Sequence, residues 1–226
     1  MSEPVPSAPA PHVMSLDRAA WRRQLHLSNF VNAAYQLRDV ESLAAGNELL
    51  VIGPGQGLDT ALFRWREYQV TTFDIDATFA PDVIGSCHQM DMFRDRQFDV
   101  AIASHVLEHV PPPLLPAALA ELARVARYAL VYLPVAGRHF TLRLIPGMFG
   151  LDLSFTFDLA AFWEKPDGLK PRYRGGEHYW EIGLRGYRWR DVERMLSGQF
   201  RILRSYRNRD WIESGNFVLQ SRRWTA

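Results

Sequence analysis

Residues 48–57 read ELLVIGPGQG, an apolar run that breaks into three glycines at alternate positions. Leu49 to Ile52 are β-prone and bounded by turn residues, as in a buried parallel strand, and apolar residues recur at helical spacing from Leu58 to Trp65. The stretch therefore predicts a strand, a tight turn and a helix. Without Cβ atoms, the glycines can adopt positive φ and let a ligand approach the backbone at the carboxyl edge of the sheet.

A second β-prone run, residues 69–73, ends at an acidic residue, Asp74. Asp74 lies 21 residues after Gly53, where nucleotide-binding α/β folds place a carboxylate that accepts hydrogen bonds from ribose hydroxyls. We predict this ribose role for Asp74, and we interpret Asp76 as a turn residue or a helix cap.

Further apolar runs continue the alternation of strands and helices along the chain. A helix with an apolar stripe is predicted to start at Pro113, and another lies near 189–196. The fold class is therefore α/β, a doubly wound and mostly parallel sheet whose last two strands could pair as an antiparallel hairpin. The seven predicted strands are residues 49–52, 69–73, 82–85, 98–103, 128–133, 200–203 and 216–220.

The glycine turn together with residues 98–111 resembles class I S-adenosylmethionine-dependent methyltransferases. Phe-Asp at 98–99, a hydrophobic strand and Leu-Glu-His-Val-Pro at 107–111 form a recurrent sequence in one branch of that family. The resemblance implies a Rossmann-like fold and S-adenosylmethionine as the cofactor. It also implies a set of cofactor-binding residues: Gly53, Pro54, Gly55, Gly57, Asp74, Ile75, Cys87, His88, Ser104 and His105.

The chain divides into a tail and one domain. Residues 1–14 are dominated by Pro, Ala and Ser and are predicted to be disordered, and residues 15–226 form a single methyltransferase domain. Within that domain we predict a helical leader at 15–46 and an aromatic-rich lid or insertion at 137–186.

The lid supplies the main candidates for catalysis. A sulfonium already activates the methyl group, so an enzyme of this kind must mainly align the acceptor and remove the proton of a hydroxyl. We predict that His178 does this with Glu181, with which it could pair in a helical turn, and that His109 is the candidate on the scaffold. The expected partner is a small-molecule or glycan-like acceptor, methylated at oxygen.

A metal site is a second hypothesis for the segment after the fourth strand. If a helix begins by Ser104, then His105, Glu108 and His109 lie on one face, and two imidazoles with a carboxylate can hold a divalent metal. We favour support of the cofactor pocket as the role of these residues, so no metal ligand is assigned.

Composition limits the class of protein. Cys87 is the single cysteine, which excludes an intramolecular disulfide, and no signal peptide or membrane-spanning run is visible, so we expect a soluble cytoplasmic protein without a membrane partner. Residues 171–226 hold twelve arginines and six acidic residues, which we interpret as a solvated face, and a nucleic-acid partner is not expected.

Two functions from other classes stay open at this point. A nicotinamide-dependent oxidoreductase would need a small residue at position 58 of its G-x-G-x-x-G/A fingerprint, where this chain has Leu58. A module that binds S-adenosylmethionine without turnover would carry the same cofactor motifs.

Overall fold

The computed structural model describes residues 25–144, 153–159, 166, 170 and 176–224. The predicted tail at 1–14, the first part of the leader and much of the stretch 145–175 lie outside these described residues.

Strands and helices alternate through the first half of the described chain. The strands are β1 Glu48–Ile52, β2 Gln69–Asp74, β3 Val83–Ile84, β4 Phe98–Ser104, β5 Ala126–Pro134, β6 Arg138–Leu144, β7 Leu153–Leu159, β8 Phe200–Arg207 and β9 Ser214–Ser221. The α-helices are α1 Leu27–Glu41, α2 Leu58–Trp65, α3 Leu115–Val125 and α4 Trp189–Ser197. Short 3₁₀ helices occupy Ala77–Phe79, Leu107–His109, Pro112–Leu114 and Arg222–Trp224. The helix predicted to start at Pro113 thus begins two residues later, at Leu115.

Seven strands form one sheet in the order β3-β2-β1-β4-β5-β9-β8. The pairs among β1 to β5 are parallel, whereas β9 runs antiparallel to both β5 and β8. This topology confirms the predicted doubly wound, mostly parallel sheet with an antiparallel C-terminal hairpin. The strand order reverses between β1 and β4, and ligands bind at such a point, outside the carboxyl ends of the strands.

Both faces of the sheet are covered, which explains the uninterrupted apolar run of β1. Leu50 and Ile52 pack in a core with α3 and α4, and Leu49 and Val51 pack in a second core with α1 and α2. Successive side chains point to opposite faces of a strand, so a strand buried on both sides has no polar alternation. In α2, Trp65 fits the helical apolar pattern but is exposed, and Phe63 is the buried aromatic.

The buried carboxylate of Asp39 attaches α1 to the sheet. Its Oδ2 atom accepts hydrogen bonds from Tyr132 at 2.7 Å and Tyr206 at 2.5 Å, and its Oδ1 atom accepts from Arg38 and Arg204. These donors lie on β5, β8 and α1 itself. The contacts fix α1 against the face of the sheet and close to the carboxyl ends of its parallel strands.

The predicted lid begins as a separate hairpin and ends packed on the sheet. Strands β6 and β7 pair with each other in a two-stranded antiparallel sheet. Farther along, Ile182 donates its backbone N–H to the Pro134 carbonyl at 2.9 Å, and Ala136 donates to the Ile182 carbonyl at 2.7 Å. Residues 179–184 are therefore attached to the end of β5. In the part of the chain that the structure describes, no helix is both long and apolar enough to cross a membrane.

Candidate active site

The predicted cofactor residues meet at the carboxyl edge of the parallel strands. Strand pairing aligns Ile52 with Phe73 and with Ala103, so Gly53, Asp74 and Ser104 lie at the ends of three neighbouring strands. The Gly53 N–H donates to the Phe73 carbonyl at 2.8 Å and so joins the start of the glycine turn to β2.

The three glycines of the turn all have positive φ, as predicted. Their φ values are 66° at Gly53, 50° at Gly55 and 79° at Gly57, and the turn is closed by a hydrogen bond from Gly57 N–H to the buried Pro54 carbonyl. A Cβ atom at Gly53 would lie 2.6 Å from Cγ2 of Val106, whereas one at Gly57 would meet nothing within 4 Å. The side chain of Val106 therefore leaves no room for a Cβ atom at position 53, whereas Gly57 faces open space.

The acidic residues after β2 divide into a cap and a ribose candidate. Asp76 accepts the Thr78 N–H and so caps the following 3₁₀ helix, which confirms the interpretation of Asp76 as a cap. The half-buried carboxylate of Asp74 accepts the Asp76 N–H at 2.9 Å, and half-buried Ile75 lies between them. The ribose role of Asp74 stays a prediction.

Two of the predicted cofactor-binding residues, Cys87 and His88, lie beyond β3. Cys87 is buried, and its burial raises the pKa of the thiol to about 12, with a smaller contribution from the negative charge of Asp74. The His88 ring is half-buried, and its Nδ1 atom lies 2.7 Å from the hydroxyl of Ser86. The cofactor-binding roles of Cys87 and His88 stay predictions.

Sequence reasoning missed one residue of this edge, Asn32 of α1. Its side-chain amide donates to the hydroxyl of Ser104 at 2.9 Å, at the end of β4. The Asn32 Oδ1 atom is buried and has no hydrogen-bond partner among the described residues. No motif marked Asn32, because its position depends on how α1 packs on the sheet.

The segment after β4 differs from the predicted helix. His105 adopts a left-handed conformation with φ of 55°, and Leu107–His109 form only a 3₁₀ turn, so the helix from Ser104 on which the metal hypothesis depended is not formed. The His105 N–H donates to the Tyr132 carbonyl at 2.9 Å. The centroid of the His105 ring lies 4.7 Å from that of the Trp211 ring. His105 Nδ1 still approaches Glu108 Oε1 to 3.5 Å. The sharp turn, rather than a helical face, brings these two side chains together.

The catalytic candidates form one cluster, with His178 and Glu181 buried and His109 half-buried, although His109 is distant from the other two in the chain. His178 Nδ1 lies 2.7 Å from Glu181 Oε1, and the His178 ring meets the His109 ring edge to face at 4.8 Å. The predicted pairing of His178 with Glu181 is therefore present, but in a non-helical segment. The Tyr179 N–H donates to the Glu108 carbonyl at 2.8 Å and holds this segment against the turn after β4.

The electrostatics of the cluster centre on Glu108, which is fully buried. Burial by itself would raise the pKa of Glu108, but the nearby His105 imidazole and the charges of His109 and His178 outweigh it and lower the pKa. Burial also lowers the pKa of His109. Trp180 is part of the core, where its indole N–H donates to the Leu107 carbonyl.

Residues 50–129 match the sequence profile of a protein family described as a methyltransferase domain. No curated protein sequence matches the chain. Among solved structures, the chain is similar to a SAM-dependent methyltransferase from Archaeoglobus fulgidus, with a TM-score of 0.56, 12% identity, and coverage of 90% of this chain and 97% of the other.

Two further solved structures have the same fold. The PH0226 protein from Pyrococcus horikoshii gives a TM-score of 0.56 at 13% identity and covers 89% of this chain and 93% of its own. The glycopeptide N-methyltransferase MtfA, complexed with S-adenosylhomocysteine, gives 0.53 at 12% identity, with coverage of 84% and 89%. At these identities the likeness shows the fold alone. Residues 50–129 thus match a methyltransferase-domain profile, and the chain has the fold of S-adenosylmethionine-dependent methyltransferases.

Proposed function

We propose that the chain methylates a hydroxyl oxygen of a small-molecule or glycan-like acceptor that binds beside His178. The observation that carries this proposal is the buried His178–Glu181 pair, held at 2.7 Å next to the turn that follows β4. A base in this position would serve an acceptor whose proton must leave during transfer. Glu181 would orient the ring of His178, and His109 would contact it from the other side.

The carboxyl edge fits S-adenosylmethionine, the methyl donor of this family. Asp74 at the end of β2 would accept the ribose hydroxyls, and the open side of Gly57 leaves space against the turn. The buried Asn32 Oδ1 atom, without a partner among the described residues, would accept from the ammonium group of the donor's amino-acid tail. Cys87 and His88 would then lie along the adenine.

The tautomer of His178 follows from its partner. A carboxylate oxygen can only accept, so Nδ1 carries the proton and Nε2 carries a lone pair in the neutral ring. S-adenosylmethionine supplies an activated methyl group: the acceptor oxygen bonds to the methyl carbon while the carbon–sulfur bond breaks and its electron pair stays on sulfur. In the proposed step, His178 Nε2 takes the hydroxyl proton and Glu181 stabilises the imidazolium.

Nitrogen is the competing acceptor atom, since MtfA is a glycopeptide N-methyltransferase. A neutral amine attacks with its lone pair and can lose its proton afterwards to water, so it has less need of a buried base. A hydroxyl is a poor nucleophile until its proton is being removed, and a positioned base typically contributes about 10²–10⁴-fold. The His178–Glu181 pair therefore favours oxygen.

Donor binding is tested by calorimetry with S-adenosylhomocysteine and with NAD. We expect binding of S-adenosylhomocysteine alone, weakened in Asp74→Ala by about 1.5–3 kcal/mol because charge-assisted hydrogen bonds are lost. Glu48→Ala is a matched control, since that carboxylate is exposed at the opposite end of β1. Binding of NAD but not of S-adenosylhomocysteine would favour an oxidoreductase.

Turnover is tested by mass spectrometry of S-adenosylhomocysteine formed with panels of phenols, sugars and primary amines. With a productive acceptor, His178→Ala should lower the single-turnover rate by about 10²–10⁴-fold and leave the Kd of S-adenosylhomocysteine nearly unchanged. His26→Ala, an exposed histidine before α1, is the control. A His178→Ala variant with the wild-type rate and only a higher KM would refute the base. Donor binding without turnover on any panel would favour a non-catalytic binding module.

A further inference from the structure

We infer that Glu108, His109 and His178 form a binding site for one divalent transition-metal ion of the zinc type. Each residue offers one ligand atom, and these atoms all lie within 4.8 Å of one another. Two elements supply the ligands: the 3₁₀ turn Leu107–His109 after β4 and the segment that begins at Gly176. The ligand set differs from the one considered from sequence, because His178 takes the place of His105.

The carboxylate of Glu108 is the first reason for this inference. Glu108 is fully buried, and among the described residues neither of its oxygens has a hydrogen-bond partner. His105 Nδ1 lies 3.5 Å from Oε1, a separation that is long for a hydrogen bond. A buried carboxylate without donors is costly, since its lost hydration is not replaced. A cation at the cluster would provide the missing interaction.

The two histidines are held in the way that metal-binding histidines usually are. Nδ1 of His178 lies 2.7 Å from the Glu181 carboxylate, and Nδ1 of His109 lies 3.0 Å from the Glu177 carbonyl oxygen. Both partners are acceptors, so each Nδ1 carries the proton and each Nε2 carries a free lone pair. Metal-ligating histidines commonly donate their other ring N–H to a carboxylate or a backbone carbonyl, which fixes the tautomer and the ring orientation.

The donor set indicates the class of metal. Two imidazoles and one carboxylate suit Zn²⁺ and similar ions, whereas Mg²⁺ and Ca²⁺ prefer oxygen ligands. Three protein ligands also leave coordination positions open, as in catalytic zinc sites. The Tyr179 N–H bond to the Glu108 carbonyl, at 2.8 Å, holds the two ligand segments together without an ion. The site is therefore largely preformed.

The role of the ion, though not its binding, rests on the proposed function. An acceptor hydroxyl beside His178 would reach an open coordination position. The ion would then do what the proposed function assigns to Nε2 of His178: it would lower the pKa of the hydroxyl, and the proton would pass to water. In the metal-loaded enzyme His178 is a ligand and Glu181 is a positioning residue.

The inference is tested on the full chain after chelation and dialysis, without donor or acceptor. Calorimetric titration with Zn²⁺ should give one ion per chain, and Co²⁺ should give visible absorption bands from a protein site. Glu108→Gln and His109→Ala should each weaken Zn²⁺ binding by more than about 100-fold, and Glu181→Gln by about 10- to 100-fold. His26→Ala, an exposed histidine outside the cluster, should leave the affinity unchanged.

Thermal unfolding of each metal-free variant establishes that it is folded, and Zn²⁺ should raise the Tm of the wild type but not that of Glu108→Gln. Absence of saturable Zn²⁺ binding, or binding that Glu108→Gln and His109→Ala leave unchanged, would overturn the inference. Full methyl transfer by a chelated chain that binds no Zn²⁺ would overturn it while leaving the proposed function intact. One bound ion without any methyl transfer would support the site and count against the proposed function.

Discussion

Replacing Gly53 by alanine tests how the glycine turn is built, because two separate costs act at this position. Its φ of 66° places an alanine in the left-handed region, which costs about 1–2 kcal/mol. Its new Cβ would lie 2.6 Å from Val106 Cγ2, about 1 Å closer than ordinary carbon contacts. Val106 is β-branched and stiff at χ1, so it cannot easily turn away. Such overpacking typically costs about 1–3 kcal/mol.

Gly57 offers a matched comparison within the same turn. Its φ is 79°, but a Cβ there meets nothing within 4 Å, so only the backbone cost applies. Alanine also reduces the entropy of the unfolded chain, which offsets about 0.4–1 kcal/mol at both positions. We therefore expect Gly57→Ala to lower the free energy of unfolding by about 1 kcal/mol, and Gly53→Ala by about 2–4 kcal/mol.

Urea denaturation of the chain without ligand measures both values, and a double-mutant cycle with Val106→Ala isolates the clash. Val106→Ala removes Cγ2, so Gly53→Ala should cost about 1–3 kcal/mol less in that background. The same cycle with Gly57→Ala should be additive. Equal costs at Gly53 and Gly57, or no rescue by Val106→Ala, would refute the steric argument.

Three further predictions concern buried groups. Tyr132→Phe removes a 2.7 Å hydrogen bond to Asp39 and should lower the free energy of unfolding, measured by urea denaturation, by about 1.5–3 kcal/mol. The loss should be much smaller in an Asp39→Ala background, and additive losses would contradict a hydrogen bond between the two side chains. Cys87, buried with a pKa of about 12, should not react with a thiol reagent at neutral pH until the chain is unfolded, and fast labelling of folded protein would count against its burial. Burial raises the pKa of Asp59 from 3.8 to about 6, so the folded state holds this proton more tightly and stability falls as pH rises between these values. The free energy of unfolding of Asp59→Asn should therefore rise relative to that of the wild type as the pH increases across this range, by at most about 3 kcal/mol. A difference between the two proteins that does not change with pH would contradict the raised pKa of Asp59.

The sequence by itself determined the class of fold and the edge of the sheet at which we expect the donor to bind. Apolar runs such as residues 49–52 are long and uninterrupted because both faces of the sheet are covered, and this pattern is local. The glycine turn, Asp74 and the cap at Asp76 are also local, since each depends on backbone conformation within a few residues. These features could therefore be predicted without knowing any long-range contact.

Helical periodicity was a weaker guide wherever a short element had to pack. In α2 the pattern favoured Trp65, yet the second core receives Phe63, because the direction from which α1 and the sheet approach decides which face is buried. After β4, spacing suggested a helix from Ser104, but His105 turns in the left-handed region so that its N–H can reach the Tyr132 carbonyl. A tertiary hydrogen bond thus outweighed the local preference.

Only the tertiary structure decided which polar groups share the site. Asn32 reaches Ser104 because the bonds of Asp39 hold α1 on the sheet, and His178 reaches His109 because residues 179–182 bond to Glu108 and β5. These pairs are about 70 residues apart in the chain. Their meeting depends on the packing of whole elements, and a sequence pattern specifies the face of an element but not its partner. The residue types predicted the chemistry; the packing determined that Glu108 lies buried, without a hydrogen-bond partner among the described residues, between two histidines.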